Sequence, residues 1–337
     1  MTAAADSELE LLAAELPIAG LTFRRLHLPD DAGRLAELYN AAAIADNSGE
    51  SGNAADWEHW LAHPSGMDPM TDALVVELAG EIVAYAQARV DRDNDGGRNY
   101  LTGGEVAVEH RGHGIGRALL HHNERHLRVL AATHPAGLEK RLESWSYDSQ
   151  VRCNRLLESE GYETVRYFFE MLRETLDEIP DLPLPSGLEI RPLRPDQYRQ
   201  VFDADVEAFR DHWGGMDETD DAFNRHFSGP NFRAELVRVA WDGDEVAGVV
   251  NNQVMTGYNE KTGARRAILN GVSVRRPWRR RGLARALVAD SLRGLRDAGF
   301  TSAALGVDAD NPTGALGVYE ATGFVVERSG RTYRKPL

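Results

Sequence analysis

The chain has 337 residues with 38 Lys and Arg against 53 Asp and Glu, a formal net charge of −15 and 42% hydrophobic residues, which is typical of a globular protein of about two domains. The negative charge argues against a general nucleic-acid binder, and the single cysteine excludes a disulfide framework or a cysteine-rich zinc site. No apolar run approaches the ~20 residues of a membrane span, and the acidic N-terminal segment lacks the pattern of a signal peptide, so we expect a cytoplasmic protein that binds neither membranes nor nucleic acid.

The first half of the chain predicts a mixture of strands and helices. A strand at 22–26 leads into a helix at 31–45, and a hairpin of strands 73–78 and 82–90 turns at Ala79-Gly80-Glu81, because apolar runs flank a glycine turn. The helical segment that follows is rich in histidine, at His110, His113, His121, His122 and His126. Its HNERH stretch is not the zinc motif H-E-x-x-H, so we expect a helix face exposed to solvent rather than a metal site.

A proline-rich segment at 178–186 separates the two halves. Pro180, Pro183 and Pro185 each lack a backbone N–H and fix φ, so neither a helix nor a central strand continues through them. We predict a stiff linker here, with one domain at 1–177 and a second at 187–337.

The second half predicts the same order of elements. A strand at 189–193 and a helix at 195–210 precede a hairpin of strands 236–241 and 246–255, with its turn at 242–244. A strand at 268–274 then leads into a helix on which apolar residues recur with helical spacing from Ala284 to Leu295. A strand at 301–307, a helix at 313–321 and a strand at 324–333 complete an α/β fold.

Two segments indicate that the halves are copies. Both contain Arg-x-x-Gly-x-(Gly or Ala)-Arg-Ala-Leu, at 111–119 and at 279–287. Each half also has a glycine followed by an aromatic residue near its end, at Gly161-Tyr162 and at Gly323-Phe324. We interpret the chain as an internal duplication.

The arginine-rich segment of the second half has the properties of a phosphate site. Val272-Ser273-Val274 ends a strand and Gly282-Leu283-Ala284 opens a helix, whose first N–H groups have no partners within the helix and attract anions. The arginines of the segment are Arg275, Arg276, Arg279, Arg280, Arg281 and Arg285. A solvated charge run, a nucleic-acid patch and a dinucleotide-binding loop are the alternatives. The net charge opposes the second and the glycine spacing opposes the third, so we predict a phosphate-bearing cofactor.

These residues resemble the acetyl-CoA-binding motif of the GCN5-related N-acetyltransferases (GNAT). The resemblance extends through 305–324, which is similar to the family's strand, Asn, helix and Tyr-x-x-x-Gly-Phe ending. It covers both halves and implies an α/β (mixed α+β) fold with two tandem GNAT domains, each a mixed central sheet flanked by helices. The tandem arrangement resembles the mycothiol synthase-like acetyltransferases of actinobacteria.

The resemblance also implies an N-acetyltransferase that uses acetyl-CoA as co-substrate and no metal. Acetyl-CoA would be held by Val272, Val274, Arg279, Arg280, Arg281, Gly282, Leu283, Ala284, Arg285 and Asn311, with Arg111, Gly112, Gly114 and Gly116 as the counterparts in the first half. Tyr319 would be the general acid that protonates the thiolate of coenzyme A. An aromatic side chain on the buried face of a helix is the alternative for Tyr319.

The first half departs from this pattern at two positions. Leu157 stands where the second half has Tyr319, and Gln150 occupies the place of Asn311-Pro312. We therefore expect the first domain to be a degenerate copy that keeps a phosphate loop without the acid. Cys153 lies in that half, so we expect direct attack of the amine in a ternary complex rather than transfer through an acetyl-cysteine.

The motif does not identify the base that accepts the proton of the amine. Asp308 is one candidate and His212 another, since imidazole titrates near neutral pH, whereas water could also carry the proton away. The acid-rich segment 211–221 favours a small and cationic amine as the acceptor. We expect a monomer or a homodimer. The alternatives to this enzyme are a non-catalytic acyl-CoA-binding or regulatory module and mycothiol synthase specifically.

Overall fold

The computed structural model describes residues 9, 12–13, 16, 18–311 and 314–337. The chain divides into two compact units, Met1–Val165 with Arg331–Leu337, and Arg166–Gly330. The predicted linker at 178–186 lies inside the second unit, which begins at Arg166. Among the described residues, no helix is long and apolar enough to cross a membrane.

The first unit is built on a mixed sheet. In chain order its elements are β1 (Leu21–Arg24), α1 (Asp30–Ala45), α2 (Ala54–Ala62), α3 (Pro69–Asp72), β2 (Ala73–Leu78), β3 (Glu81–Arg92), β4 (Arg98–Val106), α4 (Ile115–Thr133), β5 (Lys140–Tyr147) and α5 (Val151–Ser159). The strands lie in the order β1-β2-β3-β4-β5 and are followed by β12 (Val325–Pro336), of which residues 331–336 belong to this unit. Neighbours from β1 to β4 are antiparallel, and β4 and β5 are parallel.

The second unit repeats this plan. Its elements are β6 (Glu163–Arg173, from Arg166 on), β7 (Glu189–Arg191), α6 (Tyr198–Phe209), α7 (Asp220–Ser228), β8 (Arg238–Asp242), β9 (Glu245–Val254), α8 (Thr256–Thr262), β10 (Arg266–Val274), α9 (Leu283–Asp297), β11 (Ser302–Asp308) and α10 (Ala315–Ala321), with the residues of β12 before Arg331. The order β7-β8-β9-β10-β11 has three antiparallel pairs and then a parallel one, as in the first unit. The predicted α/β fold is confirmed.

Helix α9 shows why the elements form where they do. Its apolar residues recur every three to four positions, so Val288, Leu292 and Leu295 share one buried face. That face packs into a core with Ala303 and Leu305 of β11. The predicted helix is therefore confirmed from Leu283 onward, whereas part of the predicted start of α10, at Thr313, lies outside the described residues.

The parallel strands of each unit pair over only part of their length. On β4, residues Arg98–Leu101 pair with β5, although β4 continues to Val106. On β10, residues Arg266–Ile268 pair with β11, although β10 continues to Val274. Within the described residues, the later parts of β4 and β10 therefore leave their parallel neighbour. In each unit, the part of the strand that separates from its parallel neighbour is the end that leads into the glycine loop.

Two expectations from the sequence need correction. The histidine-rich helix α4 does not turn this part of its surface to solvent, because His122 is only 3% exposed and burial lowers its pKa to about 4. His126 lies 2.7 Å from a carboxylate oxygen of Asp72. Helices α2, α3, α7 and α8 were also not predicted, because each is only four to nine residues long and such a short pattern does not distinguish a helix from a loop.

Candidate active site

The loop after β10 forms an open helix N-terminus. Gly282 is the N-cap of α9 with φ +83°, a left-handed conformation that glycine adopts without strain. A side chain at Gly282 would meet no atom within 4 Å, so the backbone angle rather than space requires glycine. No side chain caps the helix, which leaves the first N–H groups of α9 for an external acceptor. The loop thus provides the donors that an anion needs.

Half of the arginines in this loop bind carboxylates of the protein. Arg275 pairs with Glu207 at 2.8 Å, and Arg276 and Arg279 both pair with Asp211. Arg279 Nε also donates to the carbonyl oxygen of Val274 at 2.8 Å. The guanidinium groups of Arg276 and Arg279 hold the pKa of the Asp211 carboxyl well below its usual range. Arg279, predicted to bind acetyl-CoA, thus joins the end of β10 to the residues that follow α6.

The remaining arginines are open to a ligand. Arg280, Arg281 and Arg285 are exposed and form no ion pair with a described residue. Arg280 also has φ +59°, unusual for a residue with a side chain. Leu283 is buried, so its backbone N–H and not its side chain is available, whereas Ala284 is half-buried. Three exposed guanidinium groups in or next to the start of α9 therefore have no ion-pair partner among the residues that the structure describes.

The strand that precedes the loop carries a bulge. The register of β10 against β9 shifts between Leu269 and Val272, and Gly271 between them has φ +134°. Val272 and Val274 follow the bulge and are half-buried. A bulge leaves backbone groups without a partner in the ladder, so this end of β10 can bind a substrate through its backbone.

Tyr319 is a buried phenol on α10. It is 6% exposed and packs edge-to-face on Phe324, with ring centroids 6.1 Å apart. Burial raises its pKa to about 12, so the hydroxyl keeps its proton at neutral pH. Among the described residues, its hydroxyl has no hydrogen-bond partner. The hydroxyl is therefore in the protonated form that a general acid requires.

The structure brings together two residues predicted from separate segments. The side-chain nitrogen of Asn311 lies 2.9 Å from Nε2 of His212. An amide nitrogen can only donate, so Nε2 accepts this hydrogen bond and the ring proton lies on Nδ1. Asp308 has a different environment. It is 1% exposed, and its two oxygens accept from Arg166 at 2.8 and 2.7 Å.

Sequence reasoning missed a buried acid beside the bulge. Asp205 of α6 is 3% exposed, and its Oδ2 accepts a hydrogen bond of 2.7 Å from Asn251. A side chain built on Gly271 would lie 4.0 Å from this oxygen. Burial raises the pKa of Asp205 to about 6. The sequence did contain a signal for this buried acid, because Asp205 lies four residues after Val201 on the apolar face of the helix.

The first unit repeats the loop but not the acid. Arg111 binds Asp46 with hydrogen bonds of 2.6 and 2.9 Å and donates to the carbonyl of Val106 at 3.0 Å, as Arg279 does in the second unit. Gly112, Gly114 and Gly116 line a cavity of about 1200 Å³. Gly114 is the uncapped N-cap of α4, with φ +89°. At the position of Tyr319 stands Leu157, which is 2% exposed.

Neither unit shows a metal site in the described part of the chain, since no three His, Cys, Asp or Glu side chains are grouped to hold an ion. The only cysteine, Cys153, lines the cavity of the first unit. Burial raises the pKa of its thiol to about 11, so it is protonated and a weak nucleophile at neutral pH.

Comparison with known proteins places both copies in one family. The model of the acetyltransferase (GNAT) family matches residues 34–144 and 198–324. A mycothiol acetyltransferase of Streptomyces bingchenggensis is 30% identical over 271 residues, which cover 77% of this chain and 80% of that protein. The crystal structure of a GCN5-related N-acetyltransferase from Sphaerobacter thermophilus, 28% identical, covers 94% of this chain and 96% of that chain with a TM-score of 0.69. A tandem GNAT protein from the clavulanic acid biosynthesis pathway, 17% identical, shares the fold with a TM-score of 0.66 and covers 94% of this chain and 98% of that chain. The chain is thus an N-acetyltransferase of the GNAT family, with the family's domain present twice.

Proposed function

We propose that the second unit transfers the acetyl group of acetyl-CoA to a primary amine of a small molecule. The observation that carries this proposal is Tyr319, a buried phenol that keeps its proton, opposed to Leu157 in the first unit. A general acid is needed where the thiolate leaves, and a leucine cannot supply one. The first unit is accordingly a degenerate copy, in the proposed division of 1–177, linker 178–186 and 187–337.

The residues of the second unit fit the chemistry of acetyl-CoA. Its pyrophosphate would lie on the N-terminus of α9, where Arg280, Arg281 and Arg285 can neutralise it. The backbone of Val272 and Val274, beside the bulge, would bind the acetyl and pantetheine part, and Asn311 would bind the pantetheine arm. Arg279 would act indirectly, by holding the loop in place.

The reaction needs one bond formed and one broken. The neutral amine nitrogen attacks the thioester carbonyl carbon, and the C–S bond breaks as the C–N bond forms. Backbone N–H groups at the end of β10 would stabilise the negative oxygen. Tyr319 would protonate the leaving sulfur. Because the thiol of Cys153 is protonated and lies in the first unit, direct attack in a ternary complex is the simpler route.

His212 is the side chain that we assign to the proton of the amine. Asp308, the other predicted base, has both oxygens engaged by Arg166. Nε2 of His212 accepts a hydrogen bond from Asn311, and this nitrogen would be freed to take the proton when Asn311 binds the pantetheine arm instead. Transfer to His212 directly or through one water would leave the product neutral.

The second candidate is the activity for which the mycothiol acetyltransferase relatives are named. Their similarity to this chain covers both units, which favours a shared acceptor. The acidic segment 211–221 gives only partial support for a cationic amine, because Asp211 is already neutralised by Arg276 and Arg279. Release of free thiol from acetyl-CoA with a panel of amines, including the amine precursor of mycothiol, distinguishes the candidates.

The Tyr319→Phe variant tests the proposed function. We expect kcat to fall by roughly 100-fold or more, because general acid catalysis contributes about 10²–10⁴ in rate. The dissociation constant of acetyl-CoA, measured by calorimetry, should stay within about twofold since the ring is kept.

The matched control is Tyr198→Phe in the same unit, where the ring stacks on Phe227 at 4.6 Å. It should retain the parent rate. A Tyr319→Phe variant with the parent kcat would refute the role of Tyr319. A parent protein that binds acetyl-CoA and releases no thiol with any amine would instead be a binding module.

A further inference from the structure

The cavity of the first unit has a second end that the phosphate loop does not explain. One end is formed by Gly112, Gly114 and Gly116 beside the start of α4. The other is lined by a group of aromatic side chains, namely Tyr39, Trp57, Trp60 and Tyr85. A volume of about 1200 Å³ leaves room for a ligand at this aromatic end.

The aromatic group is held in a fixed arrangement. Trp57 meets Tyr39, Trp60 and Tyr85 edge-to-face, with ring centroids 5.8, 5.8 and 5.3 Å apart. In such pairs the positive edge of one ring lies on the negative face of another. Ring faces that turn toward the cavity attract cations, and tryptophan does so most strongly.

Two carboxylates line the cavity next to these aromatic residues, since Glu50 binds Tyr39 and Glu105 lies opposite Tyr85 in the register of β3 and β4. Glu50 accepts hydrogen bonds from the hydroxyl groups of Tyr39 and Tyr147, the latter at 3.1 Å. Glu105 lies 3.7 Å from Arg111 and accepts no hydrogen bond from a described residue. Burial raises the pKa of Glu105 to about 7, against the opposing charge of Arg111. Positive charge in the cavity would shift Glu105 toward its ionised form.

Tyr85 is a buried residue whose hydroxyl has no hydrogen-bond partner among the described residues. It is 7% exposed and lines the cavity, and no described residue accepts from or donates to its hydroxyl. Burial, and after it the negative charges of Glu105 and Glu50, raise the pKa of this hydroxyl. Oε1 of Gln87, which also lines the cavity, is buried and has no hydrogen-bond partner in the described part of the chain. Unpaired buried polar groups are costly, and a ligand with N–H or polarised C–H groups would satisfy them.

The second unit lacks this combination at the matching positions. Tyr85 lies directly opposite Glu105 in the register of β3 and β4. The corresponding pair in the register of β9 and β10 is Val249 and Ser273. An apolar side chain and a small hydroxyl replace the phenol and the carboxylate, so the feature belongs to the first unit and is not a general consequence of the fold.

We propose that the aromatic end of the first unit's cavity binds an organic ammonium ion, held by the faces of Trp57 and its neighbouring rings and by the carboxylates of Glu50 and Glu105. This binding does not depend on which unit transfers the acetyl group. The copy without the general acid thus keeps a ligand site, which recognises a cationic head group.

The test compares two probes that differ only in charge. Choline and 3,3-dimethyl-1-butanol have the same shape, with nitrogen replaced by carbon. Calorimetric titration of the full chain without acetyl-CoA should give a dissociation constant for choline at least tenfold lower than for the alcohol. Choline has no N–H, so the result is separate from N-acetyl transfer. Equal affinities would overturn the proposal and leave an apolar cavity without charge recognition.

Two variants locate the binding. Trp57→Leu and Glu105→Gln should each weaken choline binding at least fivefold, and the second preserves shape if the first unfolds. Tyr319→Phe, in the other unit, should bind choline as the parent chain does. Thermal unfolding checks that each variant is folded. Choline binding that survives Glu105→Gln unchanged would place the cation elsewhere and refute the proposal.

Discussion

Asp205 is an acid in a place where an apolar side chain would pack. Its pKa is raised from 3.8 to about 6 by burial, so the folded state favours the protonated form. The resulting stabilisation is complete below about pH 4 and is lost as the pH rises through about 6. At pH 8 the ionised carboxylate therefore destabilises the fold, because the hydrogen bonds of Ser273 and Asn251 offset only part of the cost of its burial.

The Asp205→Asn variant should thus be more stable than the parent chain at pH 8. We expect a gain of about 1–3 kcal/mol in the free energy of unfolding, from ~1.4 kcal/mol per pKa unit. The gain should disappear below pH 4, since the parent residue is then neutral. Urea unfolding across this pH range measures it.

Asp203→Asn is the control, because Asp203 is 57% exposed on the same helix. That variant should change stability by no more than ~0.5 kcal/mol at either pH. An Asp205→Asn variant that is less stable at pH 8 would show instead that the charged hydrogen bond from Asn251 outweighs the burial of the carboxylate.

At the residue scale, sequence reasoning could find groups that a motif specifies. Tyr319 and Asn311 lie in a segment with family-like spacing, and their positions were named from it. The ion pair between Arg279 and Asp211 could not be predicted in this way, since the two residues lie on different segments and meet only in the folded chain. The same holds for Asp308 and Arg166.

The loop between β10 and α9 allows a prediction for an element as a whole. Arg280 and Arg281 are exposed without an ion pair in the described structure, beside an uncapped helix start. Replacing both by alanine should weaken acetyl-CoA binding about tenfold or more, because a hydrogen bond to a charged group contributes ~1.5–3 kcal/mol. The salt dependence of binding should also decrease. Calorimetry at two ionic strengths measures both.

Arg276→Ala is the matched control within the same run. Arg276 is exposed too, but its guanidinium is bound to Asp211, which Arg279 also holds. We expect acetyl-CoA affinity within about twofold of the parent chain, because surface ion pairs contribute little. Equal losses for Arg276→Ala and for the double variant would indicate a diffuse charge effect and not a site at the start of α9.

Elements with strong periodicity were predicted well and short ones were not. Helix α9 was predicted to within a residue or two, and the hairpin of β2 and β3 had its turn at the expected glycine. Helices α7 and α8 were missed, since nine and seven residues give only about two turns of pattern. Both begin in polar segments, where the capping hydroxyl of Thr219 was the available signal for α7.

For the whole molecule, the sequence indicates the repeat, but it does not indicate to which unit the residues of β6 and β12 belong. Similar segments in the same order indicate two copies, and the sheet order confirms one plan for both. Residues 331–337, however, are counted with the first unit, and β6 contributes Arg166–Arg173 to the second. Local patterns predict that a strand forms and not which unit it joins, because that choice depends on packing against residues far along the chain.

This assignment makes the C-terminal residues part of the first unit's core. Tyr333 is 0% exposed, packs in a cluster with Tyr100 and Leu142, and donates to Asn154 at 2.9 Å. Nearby, Arg334 binds Glu143 at 2.8 Å. The Tyr333→Ala variant should lose about 3–5 kcal/mol of stability, as for other large buried aromatic side chains. The loss should appear in the first unit, although the substitution lies at the end of the second copy.

Hydrogen exchange followed by mass spectrometry can localise that loss. Amides of β5 and α5 should exchange faster in Tyr333→Ala, whereas those of β9 and α9 should keep the parent rates, because the lost contacts belong to the first unit. Val326→Ala is the control, since Val326 lies on the same strand and is 47% exposed. Faster exchange in β9 and α9 with β5 unchanged would contradict the assignment of residues 331–337. Such a result would also mean that residues 1–165 have a complete core without the C-terminal segment.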